Sequence, residues 1–549
     1  MTAELNAGDI GAGWLDREAT IARPGFNRWL VPPAALAIHL CIGMAYGFSV
    51  FWLPLSQAVG VTKAIACPAD ASLLTTLFTT SCDWKVADLG WMFTLFFILL
   101  GSSAAIWGGW LERAGPRKAG LVAAFCWSGG LLIGALGVYL HQLWLLWLGP
   151  GIIGGVGLGL GYISPVSTLI KWFPDKRGMA TGMAIMGFGG GAMIGSPLAA
   201  MMMNHFKNAE SVGVWQTFVV LGCVYFFYML GGAFGYRVPP HGWRPDGWSP
   251  PVADSKKMIS HGNVHLNDAL KTPQFWLIWA VLTLNVSAGI GVIGMASPML
   301  QEIFGGSLIG KPGVGFAALD AGQKASIAVI AAGFAGFLSL FNIVGRIFWA
   351  SLSDHIGRKG TYYVFFILGI ALYALTPTFG HMGSKILFVL AFGVILSMYG
   401  GGFATVPAYL ADIFGTQYVG AIHGRLLTAW STAGIIGPVV VNYIREFNKT
   451  AGVPADKLYD VTLYILAGFL VLGLICNALV KPVDPKWLIP EKESEAYAAA
   501  HSLPSGPVGA HGIGGGGLDA RTVLAWLAVG VPLAWGVWQT FSKALAIFN

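Results

Sequence analysis

The sequence predicts an all-α protein that crosses a lipid bilayer many times. Its composition, the length of its apolar stretches and the placement of its basic residues each point there. Of 549 residues, 55% are hydrophobic and 10% charged. A soluble chain carries about 25% charge, and a disordered one cannot hold this much apolar residue. A helix needs about 20 apolar residues to cross about 30 Å of hydrocarbon. Thirteen stretches of that kind occur, centred near residues 42, 98, 130, 156, 190, 225, 286, 338, 370, 398, 433, 470 and 533. With the N-terminus inside, Lys and Arg favour the inner segments about two to one, the positive-inside pattern. The N-terminus is therefore expected in the cytoplasm of a bacterial-type inner membrane, and a thirteenth span leaves the C-terminus outside. The same bias explains the net charge of +7 without a nucleic-acid partner.

Taken in order, residues 1–27 mix Glu4, Asp9, Asp16 and Glu18 with basic residues and lack an apolar stretch, so they read as a cytoplasmic segment rather than a signal peptide. Residues 28–236 hold six spans. In 237–273, Pro, Gly and charge replace the apolar run, which marks a cytoplasmic linker. A second six-span half fills 274–480. Residues 481–520 form another cytoplasmic linker, whose run SLPSGPVGAHGIGGGGLD at 502–519 is a flexible tether, and 521–549 supply the extra span. The division into halves rests on a repeat: Glu112 and Asp354 are 242 residues apart, and the same offset joins Pro165 to Pro407, Gly178 to Gly420, Gly182 to Gly424 and Gly195 to Gly437. The glycines of spans four and five lie in apolar runs with no strand before them. Gly187, Gly191 and Gly195, at four-residue spacing, therefore predict close helix packing rather than a nucleotide fingerprint.

Cys41, Cys126, Cys223 and Cys476 fall inside spans and read as small hydrophobes. Cys67 and Cys82 share the outer loop 58–87 on the oxidising side, where a disulfide is expected.

Two loops at the repeat offset read GGWLERAGPRK (108–118) and ASLSDHIGRK (350–359). They resemble the GxLxDRxGRK signature of the major facilitator superfamily, which implies two six-helix halves and alternating access. The first copy offers Gly108, Glu112, Arg113, Arg117 and Lys118, with Glu112 where the family usually has Asp and Pro116 interrupting the motif. The second offers Asp354, Gly357, Arg358 and Lys359, with Ala350 for Gly. An acid at one helix end facing basic groups and a neighbouring helix N-terminus is expected to pin the inward gate.

A narrower resemblance lies in NRWLVPPAALAIHLCIGMAYGFSVFWLPL of span one, GYISPVSTLIKWFPDKRGMATG after span four and GGFATVPAYLADIFG of span ten. These are similar to the oxalate/formate antiporter family, and the likeness covers nearly all of 26–480. The thirteenth span resembles a short separate membrane polypeptide that accompanies some members, here fused. The family implies transport of small carboxylates such as oxalate, formate, pyruvate or lactate, by antiport or with a proton.

The residues give an independent reading. An ionisable group inside a span marks function by default. No Asp or Glu lies well inside any span, which argues against cation and drug/proton exchange; Asp88, Glu302 and Asp412 sit at span ends. Arg346, eight residues before Asp354, stands about 12 Å inward on span eight, where its fork of donors suits a carboxylate. The resemblance places the substrate arginine at the same position. His39, about 16 Å deep in span one, is the candidate for a coupling proton, with a satisfied packing histidine as the alternative. Tyr46, Tyr162, Tyr399 and Phe403 are expected to cage the anion. Oxalate-specific members carry a lysine in span eleven; Trp430 falls there instead, which leaves one cation and favours a monocarboxylate over oxalate.

No P-loop, nucleophile elbow or metal-ligand cluster appears, so neither an enzyme nor ATP-driven transport is expected, and no cofactor or metal is called for. A non-transporting sensor on the same fold is the competing class, though the tails carry no recognisable signalling domain. The expected partners are lipid, a small carboxylate and a proton, with the chain acting as a monomer.

Overall fold

Thirteen helices long and apolar enough to cross a membrane are present among the described residues of the computed structural model. They are α1 (Arg28–Phe48), α2 (Asp88–Ala114), α3 (Pro116–Tyr139), α4 (Leu143–Trp172), α5 (Gly178–Phe206), α6 (Val214–Gly235), α7 (Pro273–Ile293), α8 (Gly336–Ile356), α9 (Arg358–His381), α10 (Lys385–Phe414), α11 (Val419–Arg445), α12 (Ala455–Leu479) and α13 (Ala520–Thr540). The structure describes residues 13–544, apart from 62–64, 66, 69–71, 85, 241–242, 246, 249–259, 261, 491 and 494–518. Parts of the 237–273 linker and most of the 481–520 linker, the 502–518 run included, lie outside the described residues.

Local chemistry sets the boundaries. Gly115 and Gly357, 242 residues apart, hold φ of 85° and 81°, a region open to glycine, and each breaks one span sharply from the next. The helix that contains α8 begins at Ala321, on a capping box between Asp320 and Gln323. The helix of α7 starts on Pro273, with Thr272 Oγ1 accepting the Phe275 N–H at 3.3 Å. Near its start α4 widens to a π-turn over Trp147–Gly154, which accommodates Pro150 within the helix.

Helices α1–α6 and α7–α12 form two halves that meet along two pairs, α5 with α8 and α2 with α11. Glycine makes both crossings. A Cβ on Gly182 would strike the Arg346 carbonyl, and one on Gly424 would strike the Ala104 carbonyl; these two contacts are related by the repeat. Gly108 likewise lies against Ala421, whose Cα would be 2.9 Å from an added Cβ.

On the side of the inter-half linker, the chain before α1 is tied to the chain after α6 by Ala22 N–H to Val238 O (3.0 Å) and Val238 N–H to Thr20 O (2.9 Å). On the far side, Cys67 and Cys82 are joined, with Cα atoms 5.0 Å apart. Next to them the Asp83 carboxylate accepts the N–H groups of Val59, Gly60 and Ile65 at 2.7–3.1 Å. Trp84 stacks on His141 with centroids 4.0 Å apart. Burial lowers the His141 pKa, and the neutral ring donates through Nε2 to Cys82 O at 2.8 Å.

Helix α13 lies outside the twelve and touches both halves. Its first turns meet the N-terminal half through Asn27 Nδ2–H to Thr522 Oγ1 (3.0 Å), Trp526 Nε1–H to Trp29 O (3.2 Å) and Tyr228 O–H to Ala528 O (2.7 Å). Further along, Leu533 and Gly536 pack on α5 at Gly190 and Ile194, and Thr540 packs at Gly336 of α8.

Candidate functional site

Arg346 is fully buried at the α5–α8 crossing. Its Nε donates to Asn342 Oδ1 at 2.8 Å, one helical turn earlier on α8, and Nη1 donates to Ile185 O of α5 at 2.9 Å. These bonds aim the guanidinium from the C-terminal half across the seam. Nη2 is buried without a well-formed hydrogen bond, and among the described residues no carboxylate pairs with Arg346.

Aromatic rings close around that nitrogen. The guanidinium carbon lies 5.9 Å from the Phe188 centroid and 5.7 Å from that of Phe403. Trp430, fully buried, is the hub: its ring stands 4.4 Å from Phe403, 5.2 Å from Tyr162, 5.3 Å from Phe188, 5.7 Å from Phe97 and 6.1 Å from Tyr46. The Tyr46 and Tyr399 hydroxyls share a hydrogen bond of 2.9 Å, which links α1 to α10 across the halves. Tyr399 also packs on Phe403 at 5.3 Å. The Tyr162 hydroxyl, Trp430 Nε1 and both ring nitrogens of His423, whose ring is 5.9 Å from Tyr162, are buried without a well-formed hydrogen bond among the described residues. A charged donor and several neutral ones thus gather in one buried cluster of rings. That arrangement suits a small anion.

The structure brings Arg346, Tyr46, Tyr162, Tyr399, Phe403 and Trp430 into this one cluster. Asn342, Phe188, Phe97 and His423 join it without having been singled out. Asn342 did carry a signal, four residues before Arg346 and so on the same helix face. Phe188 and Phe97 lie in uniformly apolar runs and carried none.

His39 is buried beside the cluster, its ring 5.3 Å from Tyr162. Nδ1 faces Ala184 O and Nε2 faces Tyr162 O at 3.2 Å. Both partners are acceptors, and a neutral imidazole donates to only one of them.

The gate motifs lie on the linker side. Asp354 accepts the N–H groups of Gly178 (3.0 Å) and Met179 (3.2 Å), which open α5 in the other half. Arg358 bridges Asp354 (2.7 Å) and Asp412 (3.1 Å). Glu112 bonds Ser167 (3.0 Å) and Lys171 (2.6 Å), and its Oε1 occupies the place a Cβ on Gly420 would need. The other basic residues turn elsewhere. Arg117 donates to Trp14 O, Lys118 pairs with Asp16 at 2.8 Å, Arg113 is exposed, and Lys359 donates to Ala478 O and Val480 O. In the first motif, then, the acid is matched by a lysine of α4, because residues before α1 occupy the motif's own Arg117 and Lys118.

Comparison with known proteins agrees with this architecture. The Major Facilitator Superfamily profile matches residues 35–438 and, overlapping, 323–548. The chain is 25% identical over 412 residues to the oxalate:formate antiporter of Oxalobacter formigenes, covering 75% of this chain and 83% of that one. It is 24% identical over 445 residues to apicoplast pyruvate carrier 1 of Toxoplasma gondii, covering 70% and 78%. The crystal structure of the transporter FucP in the outward conformation superposes with a TM-score of 0.55 at 13% identity, over 83% of this chain and all of the other. Two halves related by a repeat, gate motifs at the seam and a profile match across most of the chain place this protein in the major facilitator superfamily.

Proposed function

We propose that this protein is a secondary active transporter of a small monocarboxylate such as formate, lactate or pyruvate, working by alternating access in a bacterial-type inner membrane. The observation that carries the reading is the buried guanidinium of Arg346, which has no carboxylate partner among the described residues and an Nη2 without a well-formed hydrogen bond. An unpaired buried charge is costly, and a bound carboxylate offsets that cost through charge-assisted hydrogen bonds. One cation balances one negative charge. Trp430, which packs on Phe403 beside the guanidinium, brings no second cation, so a dianion would keep one charge uncompensated in an apolar site.

The N-terminus, both linkers and the gate motifs are assigned to the cytoplasm from the bias of basic residues. His39 is assigned to the coupling proton. Protonation would let its ring donate to the Ala184 and Tyr162 carbonyls together.

Proteoliposome uptake of labelled lactate, formate and oxalate tests the proposal. Monocarboxylate uptake that Arg346→Gln lowers by at least about thirtyfold, the equivalent of about 2 kcal/mol, is expected, with protein yield unchanged. Retained uptake would make Arg346 structural. A second reading, oxalate/formate exchange, is favoured by the similarity to the Oxalobacter formigenes antiporter. Strong oxalate exchange without monocarboxylate uptake would establish it instead.

A further inference from the structure

Between α1, α6 and α13, on the linker side, the helices form an open groove with a volume of about 890 Å³. That is within the size of ligand pockets, about 300–1,000 Å³. Its chemistry is divided along its length. At the mouth stand Arg23, five residues before α1, Arg237, two residues after α6, and Arg521 in the first turn of α13. Inward, the walls are Ala34 of α1, Gly231 and Gly235 of α6, and Ala525 and Val529 of α13. Small apolar residues leave a slot between the helices, and among the described residues no carboxylate lines it.

Among the described residues the three arginines outnumber the acids near them, with Asp519 beside Arg521. Among the described residues none of them forms an ion pair. Arg237 spends Nη1 on the Phe234 and Tyr236 carbonyls, and Arg521 has only Asp519 nearby, which itself caps the Thr522 N–H. Burial and the adjacent Arg23 hold the Arg237 pKa below the ordinary arginine value, as expected where cations gather without an anion. All three sit where candidate spans end, where a bilayer's headgroups would lie, and the slot is lined by residues further into those spans.

We propose that this groove binds an anionic phospholipid. Its phosphate is held by Arg23, Arg237 and Arg521, and an acyl chain lies in the slot between α13 and the α1–α6 pair. Guanidinium forks match phosphate oxygens, and basic pockets between membrane helices select anionic headgroups. The lipid would add to the hydrogen bonds that already tie the first turns of α13 to the chain before α1 and to α6. The inference requires that the protein be in a membrane and is independent of what it transports.

Native mass spectrometry of the full chain in mild detergent tests it, with phosphatidylglycerol and phosphatidylcholine of matched acyl chains. Phosphatidylglycerol should be retained at least about tenfold more than phosphatidylcholine. The triple variant Arg23→Gln, Arg237→Gln, Arg521→Gln should lose that preference while eluting as a monodisperse protein. Should the triple variant not fold, Ala525→Phe fills the slot with the arginines intact and should by itself lower phosphatidylglycerol occupancy. Equal retention of the two lipids, or a preference that survives both variants, would overturn the proposal. So would complete displacement by millimolar inorganic phosphate with Ala525→Phe silent, which would mark a free-phosphate site.

Discussion

The carboxylate of Asp354 and the backbone N–H of Gly178 meet at 3.0 Å, and they belong to different halves of the protein. A helix N-terminus carries unsatisfied donors and partial positive charge, so an acid from the opposite half is well placed to hold it. At the repeat-related position the Glu112 carboxylate lies against Gly420 of the other half, while its hydrogen bonds go to Ser167 and Lys171 within its own half. We propose that both contacts act as latches on the side assigned to the cytoplasm; a Cβ on Gly420 would meet Glu112, and one on Gly178 would meet the Ala350 carbonyl.

Asp354→Asn should loosen one latch. It keeps an acceptor for Gly178 but loses the ion pair with Arg358 and the charge facing the helix end. At about 1–2 kcal/mol, the alkylation rate of a cysteine introduced as Ala421→Cys, now buried against Gly108, should rise about tenfold. An unchanged rate would show that the contact does not hold the gate.

Trp430→Lys should change charge selectivity. A second cation in the same cluster as Arg346 would favour a dianion, so oxalate transport should appear or rise while monocarboxylate uptake falls by about tenfold. Competition between labelled lactate and unlabelled oxalate measures it; an unaltered ratio would place the specificity elsewhere.

Removing the far-side disulfide with Cys67→Ser and Cys82→Ser should lower stability. Closing a loop with a sequence separation of 15 contributes about 3 kcal/mol on the chain-entropy account. A lower thermal unfolding midpoint under non-reducing conditions is expected, with lactate affinity preserved. An unchanged midpoint would mean that Asp83 and the Trp84–His141 stack suffice.

Truncation after residue 500 removes α13, which touches α5 in one half and α8 in the other. Because these helices slide during alternating access, turnover should change by about three- to tenfold with KM little altered. Unchanged turnover would make α13 an accessory.

The spans were legible because lipid imposes a length and an apolarity that few sequences meet by chance. Arg346 was legible for the same reason, as a lone charge in an apolar run. Trp430 was noticed only as a departure from a lysine, and its place at the centre of the ring cluster depends on five partners from α1, α2, α4, α5 and α10. Phe188 and Phe97 look like any other apolar residues in their runs. Arg117 and Lys118 were read with the gate, yet their partners, Trp14 and Asp16, come from about a hundred residues earlier. A charged loop motif does not encode which distant segment will reach it first.

The unpaired charge of Arg346 has an electrical consequence. Its repeat counterpart is Ala104, so only one half carries a cation at this depth. On the proposed monoanion reading, and without a co-transported proton, a loaded carrier would move as a neutral pair, whereas an empty one would move a bare guanidinium through a low-dielectric seam and through the membrane field, at up to about 2.3 kcal/mol per 100 mV for a full crossing. Exchange of one carboxylate for another would then outpace net flow, and a proton carried on His39 would remove that difference.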